Sequence, residues 1–439
     1  MKTLSRYVKH WAASASLPSA PSAQWPAPPE GRSLAVEIPR FGRAGASLVV
    51  YKTSADLFSK LVTLVVTVAA ARALPAGDFG VMALAMTTGW LLGVASDAGL
   101  PMYLATRVAQ AHGAGIPVYP IARAVMTWRT RLAVMAIVAA TAAGVALVPF
   151  FVLIPFILIV LHQLFGAMLE TAAHAFRGLG RTDVESSLSL AHRGAVAIGA
   201  LTVLAVQPTL LGLSVALAVP PLVALVASGV AVRRLTADGP PFSLTRGRML
   251  TEVAPLGLGV LLSALYFRCD VYFIERLHGV EAVGAYNAAF RIVDALRLFP
   301  AAALAVAYPL LCAATDLHRV SRLSLSLLAA SVLAALGIAL SAHSLLVLVY
   351  GEPYGTAGQA LQVLGLCIPF FYVNYALTHQ LIAWERQRAF VAIATVALVA
   401  NLLGNAWLIP DGGMTGAAVS TLLTELVVLI GCALSLVRR

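Results

Sequence analysis

Two charged stripes interrupt an otherwise apolar sequence. Lys52, Asp56 and Lys60 recur at i, i+4 and i+8, and Arg291, Asp294 and Arg297 at i, i+3 and i+6. On a helix either spacing keeps the three side chains close to one face. Each stripe reads base, acid, base, so the acid neutralises one neighbour, lowers the cost of burial and leaves one positive charge. Two such stripes lining a water-accessible cleft would suit a phosphate-bearing ligand, because ammonium and guanidinium groups give charge-assisted hydrogen bonds to phosphate oxygens. Other chemistry lacks its signatures. There is no P-loop, no HExxH and no GxSxG. Cys269, Cys312, Cys367 and Cys432 sit at unrelated spacings, and His162, His192, His343 and His379 show no metal-ligand pattern. No cofactor and no metal is implied.

The elements that must carry these stripes are membrane helices. With 60% apolar and 11% charged residues, the 439-residue chain departs from soluble proteins, in which about a quarter of residues are charged. Twelve apolar segments are expected at 48–72, 80–105, 124–147, 150–174, 185–206, 209–232, 250–275, 282–311, 320–349, 357–383, 388–409 and 414–437. Each can cross a hydrocarbon core about 30 Å thick. Arginine and lysine fill every second connection: the amino-terminal region, Arg107 to Arg131, Arg177 and Arg181, Arg233 to Arg248, Arg319 and Arg322, Arg386 and Arg388, and Arg438 and Arg439. The opposite side holds only Arg72 and Arg276. The positive-inside bias therefore predicts that both termini lie in the cytoplasm. The net charge of +11 is explained by orientation and lipid headgroups; no basic, aromatic-interleaved domain points to nucleic acid.

Residues 1–45, rich in Ser, Pro and Ala, read as a disordered cytoplasmic tail without the apolar core of a secretory signal. Residues 46–234 read as an amino-terminal six-helix lobe, 235–249 as a cytoplasmic inter-lobe loop and 250–439 as a carboxy-terminal six-helix lobe. A shift of 204 residues places Arg72 on Arg276, Gly80 on Gly284 and Ala85 on Ala289. This echo predicts parallel repeats with a pseudo-two-fold axis along the membrane normal and a central cleft between the lobes.

After the loops are assigned, Lys52, Lys60, Arg193, Arg268, Arg291 and Arg297 remain inside the membrane, where charge is expensive. At about 1.5 Å per residue, Lys60 lies roughly 18 Å from the inner end of its segment and Arg291 roughly 14 Å from the outer end of its own. Both fall near the midplane, so Lys60, Arg291 and Arg297, with Asp56 and Asp294, are the candidate substrate-binding residues. Lys52 and Arg193 lie within snorkelling reach of the interface. Arg268 and Asp270 are two apart and pair poorly with each other, which directs them to neighbouring helices as a gate or a structural lock. Asp97, in SDAGLP, precedes an expected helix bend and is read as stabilising it. Glu170 and Glu425 are the candidate ion-coupling groups.

The runs LLVLVYGEPYGTAGQALQVLG and NLLGNAWLIPDGGMTGAAVSTLLTE resemble the polysaccharide transporter branch of the multidrug/oligosaccharidyl-lipid/polysaccharide exporter superfamily. Tyr350, Gly351, Tyr354, Ala357 and Leu361 carry the first match, and Asn401, Asn405, Ile409, Pro410, Gly413, Gly416 to Ala418 and Glu425 the second. Leu74, Phe79 and Gly80, with Asp270, Gly284, Tyr286, Ala289 and Arg291, carry the corresponding matches in the two halves. The resemblance implies a twelve-helix, two-lobed protein of the bacterial inner membrane. It implies alternating access that moves an isoprenoid-pyrophosphate-linked oligosaccharide from the cytoplasmic to the periplasmic leaflet for O-antigen, capsule or exopolysaccharide, with polysaccharide polymerase or export machinery as partners. The alternatives are an ion-coupled multidrug exporter, for which a net acidic or aromatic cleft is expected; a lipid II flippase, which commonly has two further carboxy-terminal helices; and a membrane polysaccharide polymerase or ligase, which needs a large outer loop.

Overall fold

The structure is a computed structural model that describes residues 43–236, 242, 247, 253–296, 317–383 and 386–437. The expected tail up to residue 42, most of the inter-lobe loop and Arg297 lie outside the described residues. Apolar runs in lipid must satisfy every backbone donor and acceptor internally, which selects helices. Most of the expected boundaries within the described residues shift by only a few residues, on the order of the uncertainty of any boundary read from sequence.

The first half consists of α1 (Arg43–Ala73), α2 (Ala76–Asp97), α3 (Leu100–Gly113), α4 (Tyr119–Leu147), α5 (Leu153–Gly178), α6 (Thr182–Val206) and α7 (Leu210–Leu235). The second consists of α8 (Ala254–Arg268), α9 (Asp270–His278), α10 (Val280–Leu296), α11 (Leu317–Tyr350), α12 (Gly358–Leu366), α13 (Ile368–Ala383) and α14 (Gln387–Val437). Helix α14 joins two segments across Gly413, whose φ of 52° and ψ of −133° are not helical. Among the described residues nine helices are long and apolar enough to span a membrane, or ten if the bent pair across Cys367 counts as one span. All lie where the twelve-segment reading places them.

The second expected segment is broken, as SDAGLP predicts. Ala98 and Gly99 take left-handed φ values of 46° and 83°, which end α2 and start α3. A residue with a Cβ rarely occupies that region, at a cost of roughly 1–2 kcal/mol, so the turn must be held from outside. Arg129 holds it. The sequence assigns Arg129 to a cytoplasmic connection; the structure corrects this and buries it completely. Its guanidinium lies 2.7 Å from Asp97 and donates to the Gly93 carbonyl at 3.2 Å and to the Ser96 hydroxyl at 2.9 Å. A cation thus sits at the carboxy-terminal end of α2, where unpaired carbonyls favour positive charge.

Residues from Arg43 onward form one compact unit, in which α2 makes the principal contacts between the halves, with α8 and α10. At the end bearing the charge-poor loops, Arg72 donates to the Val349 carbonyl at 2.9 Å and to that of Leu348, and Tyr354 donates to the Ala71 carbonyl at 3.0 Å. Phe79 packs edge-on against Tyr354 with ring centroids 5.4 Å apart. There α2 and α10 meet through glycines: a Cβ on Gly80 would lie 2.1 Å from the Val280 carbonyl oxygen. Toward its other end, α2 touches α8, where a Cβ on Gly257 would lie 2.3 Å from the Ala98 carbonyl carbon.

Candidate functional site

Between those two contacts along α2, the halves separate around a cavity of about 480 Å³. Met86, Thr87, Trp90 and Val94 of α2 and Gln163 of α5 face residues of α8, α10, α13 and α14 across it. Four of the expected site residues line it together: Arg268, Arg291, Asp294 and Glu425. Arg291 and Asp294 approach to 4.0 Å, a loose pairing for groups one turn apart.

Arg268 is held far more tightly. It donates to Thr87 of the first half at 3.0 Å and to the Asn287 amide oxygen, and its guanidinium lies 4.4 Å from the centre of the Phe290 ring. Arg268 thus engages neighbouring helices rather than forming an ion pair with Asp270, two residues on, and the cation over an aromatic face eases its desolvation. Asp270 goes elsewhere. It is buried, accepts from the Tyr286 hydroxyl and the Val271 amide, and does not line the cavity. Glu425 is also buried and accepts from Asn374 Nδ2 at 2.7 Å, which ties α14 to α13 at the cavity wall.

The stripe of Lys52, Asp56 and Lys60 lines a second cavity of about 290 Å³ within the first half, with Glu170, Glu185 and Arg193. The reason lies in packing. Helix α1 rests mainly on α6, through contacts such as Ser59 with Ser189 at 3.3 Å between hydroxyl oxygens, and touches α10 only slightly. Lys60 and Arg291 therefore line different cavities, and the single cleft expected from the two stripes is divided. In the second cavity Glu185, 3% exposed, bridges Lys52 and Arg177 at 2.8 and 2.7 Å. Arg177 also reaches Glu170 at 2.7 Å, and Lys52 reaches Asp56 at 2.8 Å. Arg193, expected to snorkel, keeps its Nε buried with no hydrogen-bond partner among the described residues.

Among the described residues the larger cavity does not carry the expected net positive charge, and Arg297 lies outside them. Two guanidinium groups and two carboxylates line the larger cavity among the described residues, so formal charges cancel there. Sequence reading missed Trp90, Gln163, Asn287, Asn374 and Glu185. Charge counting of the bases passes over neutral polar groups, and Glu185 stands at the very start of its expected segment, 185–206. His162 binds the Leu217 carbonyl at 2.7 Å and His343 that of Gly355 at 3.1 Å.

The sequence matches the family described as polysaccharide biosynthesis protein over residues 48–315, well over half of the chain. The chain belongs to that family. Residues 255–407 also match the MatE family. No curated protein sequence matches. Among solved structures, this polysaccharide biosynthesis family member resembles lipid II flippase MurJ in an inward closed conformation, at 10% identity over 88% of this chain and 87% of that one, with a TM-score of 0.68. It also resembles an inward-facing multidrug resistance MATE family transporter of the MOP superfamily, at 14% identity over 89% and 97%, with a TM-score of 0.64. A third is a MOP superfamily transporter from Pyrococcus furiosus described by a reversed polarity of its binding pocket, at 11% identity over 89% and 95%, with a TM-score of 0.54. At these identities the likeness concerns the fold, which is that of membrane transporters and flippases.

Proposed function

We propose that this protein is an inner-membrane flippase that carries an isoprenoid-pyrophosphate-linked oligosaccharide from the cytoplasmic to the periplasmic leaflet, for O-antigen, capsule or exopolysaccharide. The observation that carries the reading is the conjunction of the polysaccharide biosynthesis family match with a cavity between the halves that presents Arg291 only loosely paired. In this reading Arg291 receives the pyrophosphate while Asp294 is released from it, Arg297 extends the stripe, and the isoprenoid stays in lipid. Loss of the Gly80 contact and closure at the opposite end would then expose the headgroup outside. Such a cycle needs differential binding to its two states, supplied by substrate or by an ion at Glu425 or Glu170. Lys60 with Asp56 serves the first-half cavity, as a secondary anion contact on the entry path. Lys52, Asp97, Arg268 and Asp270 hold the helices in place, and the six-helix halves are the moving bodies.

A second reading, an ion-coupled multidrug exporter, is favoured by the MatE match and by the acids and aromatic rings of the larger cavity. Deleting the gene and measuring surface polysaccharide together with cytoplasmic-face lipid-linked oligosaccharide separates the two. Loss of the first with accumulation of the second is expected. Unchanged amounts of both, with no second transporter covering the loss, would move the exporter reading to the front.

A further inference from the structure

The two walls of the larger cavity differ in kind. Every charged described residue that lines it, Arg268, Arg291, Asp294 and Glu425, belongs to the second half. The first half presents neutral groups, chief among them Trp90 and Gln163. Between Phe79 and Asp97, Trp90 is the one residue of α2 that is exposed, at 38%, and the space it faces is the cavity. Its ring is oriented by an edge contact with Phe267, with centroids 6.5 Å apart. Its indole N–H makes no hydrogen bond to a described acceptor and stays available to water or a ligand.

Gln163 is set beside it by a close helix approach. A Cβ on Gly89 would lie 2.8 Å from the Gln163 Cβ and 2.9 Å from the Val160 Cα, so glycine at that position admits α5 against α2. Gln163 Nε2 donates to the Met86 carbonyl at 3.2 Å, which fixes the amide and leaves its oxygen as an acceptor. A half-open aromatic face with a free N–H, next to an anchored amide, matches a pyranose: its C–H face packs on the ring and its hydroxyls exchange hydrogen bonds with the polar neighbours. It does not match phosphate, for which this wall offers no cation.

We propose that the two halves divide the substrate, the first half holding the saccharide on Trp90 beside Gln163 and the second half holding the pyrophosphate at Arg291. This rests on the flippase reading and adds an orientation to it. The test measures equilibrium binding to the full-length protein in lipid nanodiscs with two probes: the isoprenyl-pyrophosphate-linked saccharide purified from cells lacking the gene, and the bare isoprenyl pyrophosphate. Trp90→Leu is expected to weaken the saccharide-bearing lipid about tenfold and to leave the bare lipid unchanged. Trp90→Phe keeps an aromatic face and restores most of the affinity, whereas Arg291→Ala weakens both probes. If Trp90→Leu weakens both probes equally, or neither, the division of the substrate is wrong. If the native protein binds neither, the flippase reading itself fails, and this orientation with it.

Discussion

Gly80 and Gly284, equivalent under the 204-residue shift, pack against each other: a Cβ on Gly284 would lie 3.2 Å from both the Cα and the N of Gly80. The sequence echo thus marks a place where the halves meet at the charge-poor end. The two positions are not equally tight. The nearest obstacle to a Cβ at Gly80 is the Val280 carbonyl at 2.1 Å, and backbone cannot step aside as a side chain can. Gly80→Ala should therefore weaken this contact by about 1–3 kcal/mol, and Gly284→Ala by less. In a cysteine-free background, a cysteine replacing buried Ala285 should react faster with a membrane-impermeant maleimide in Gly80→Ala than in Gly284→Ala. Equal, native-like labelling of both would mean that the glycine contact does not close this end.

The Arg129 cluster predicts an inverted order of damage. Asp97→Ala removes the carboxylate and strands a fully buried guanidinium that keeps only Gly93 and Ser96 as partners. Arg129→Met removes the charge and fills much of the same volume. Since an uncompensated buried charge costs more than an apolar replacement, Asp97→Ala should lower stability by about 2–4 kcal/mol, and Arg129→Met by less. The double variant should be more stable than Asp97→Ala alone. Thermal unfolding of the purified proteins in detergent reads all three, and additive losses would refute the pairing as the source of the effect.

What the sequence disclosed and what it hid divide along a physical line. Membrane thickness and backbone satisfaction leave one solution for an apolar run, so α4 to α7 were legible within a few residues. The break at Ala98 was legible because SDAGLP places Gly99 and Pro101 directly after Asp97; the bend at Cys367 carries no such signal. Depth along a helix follows from counting, and facing does not. Counting puts Lys60 and Arg291 at similar depth, yet the packing of α1 on α6 turns Lys60 into the first-half cavity. Arg129 was misplaced for the same reason, since counting put it beside Arg123 and Arg131, and only the rotation of α4 turns it inward. Asn287, Asn374 and Gln163 carry no charge to count, although buried amides are costly enough to be informative.

Arg268 and Arg291 line one cavity but should fail differently when truncated. Arg268→Ala leaves Thr87 and Asn287 without their shared partner and removes a cation from the Phe290 face, so it should reduce folded protein as well as transport. Arg291→Ala breaks only a pairing at 4.0 Å, and protein abundance should stay near native while translocation in proteoliposomes falls at least about tenfold. Native abundance with native transport in Arg291→Ala would remove it from the substrate path.

Glu185 and Glu170 share Arg177 but differ in exposure, 3% against 58%, and this decides the last prediction. Neutralising Glu185 leaves Lys52 and Arg177 without the carboxylate that bridges α1, α5 and α6, so Glu185→Gln should cost about 3 kcal/mol. Glu170 sits on the solvent-accessible side of the same arginine, where an ion pair contributes less than about 1 kcal/mol, so Glu170→Gln should unfold close to the native temperature. That separation makes Glu170 a clean probe of ion coupling. If it carries the coupling proton, Glu170→Gln should make transport in proteoliposomes insensitive to an imposed pH gradient while leaving stability intact. A retained gradient response in that variant would transfer the coupling role to Glu425, whose buried carboxylate lines the larger cavity directly.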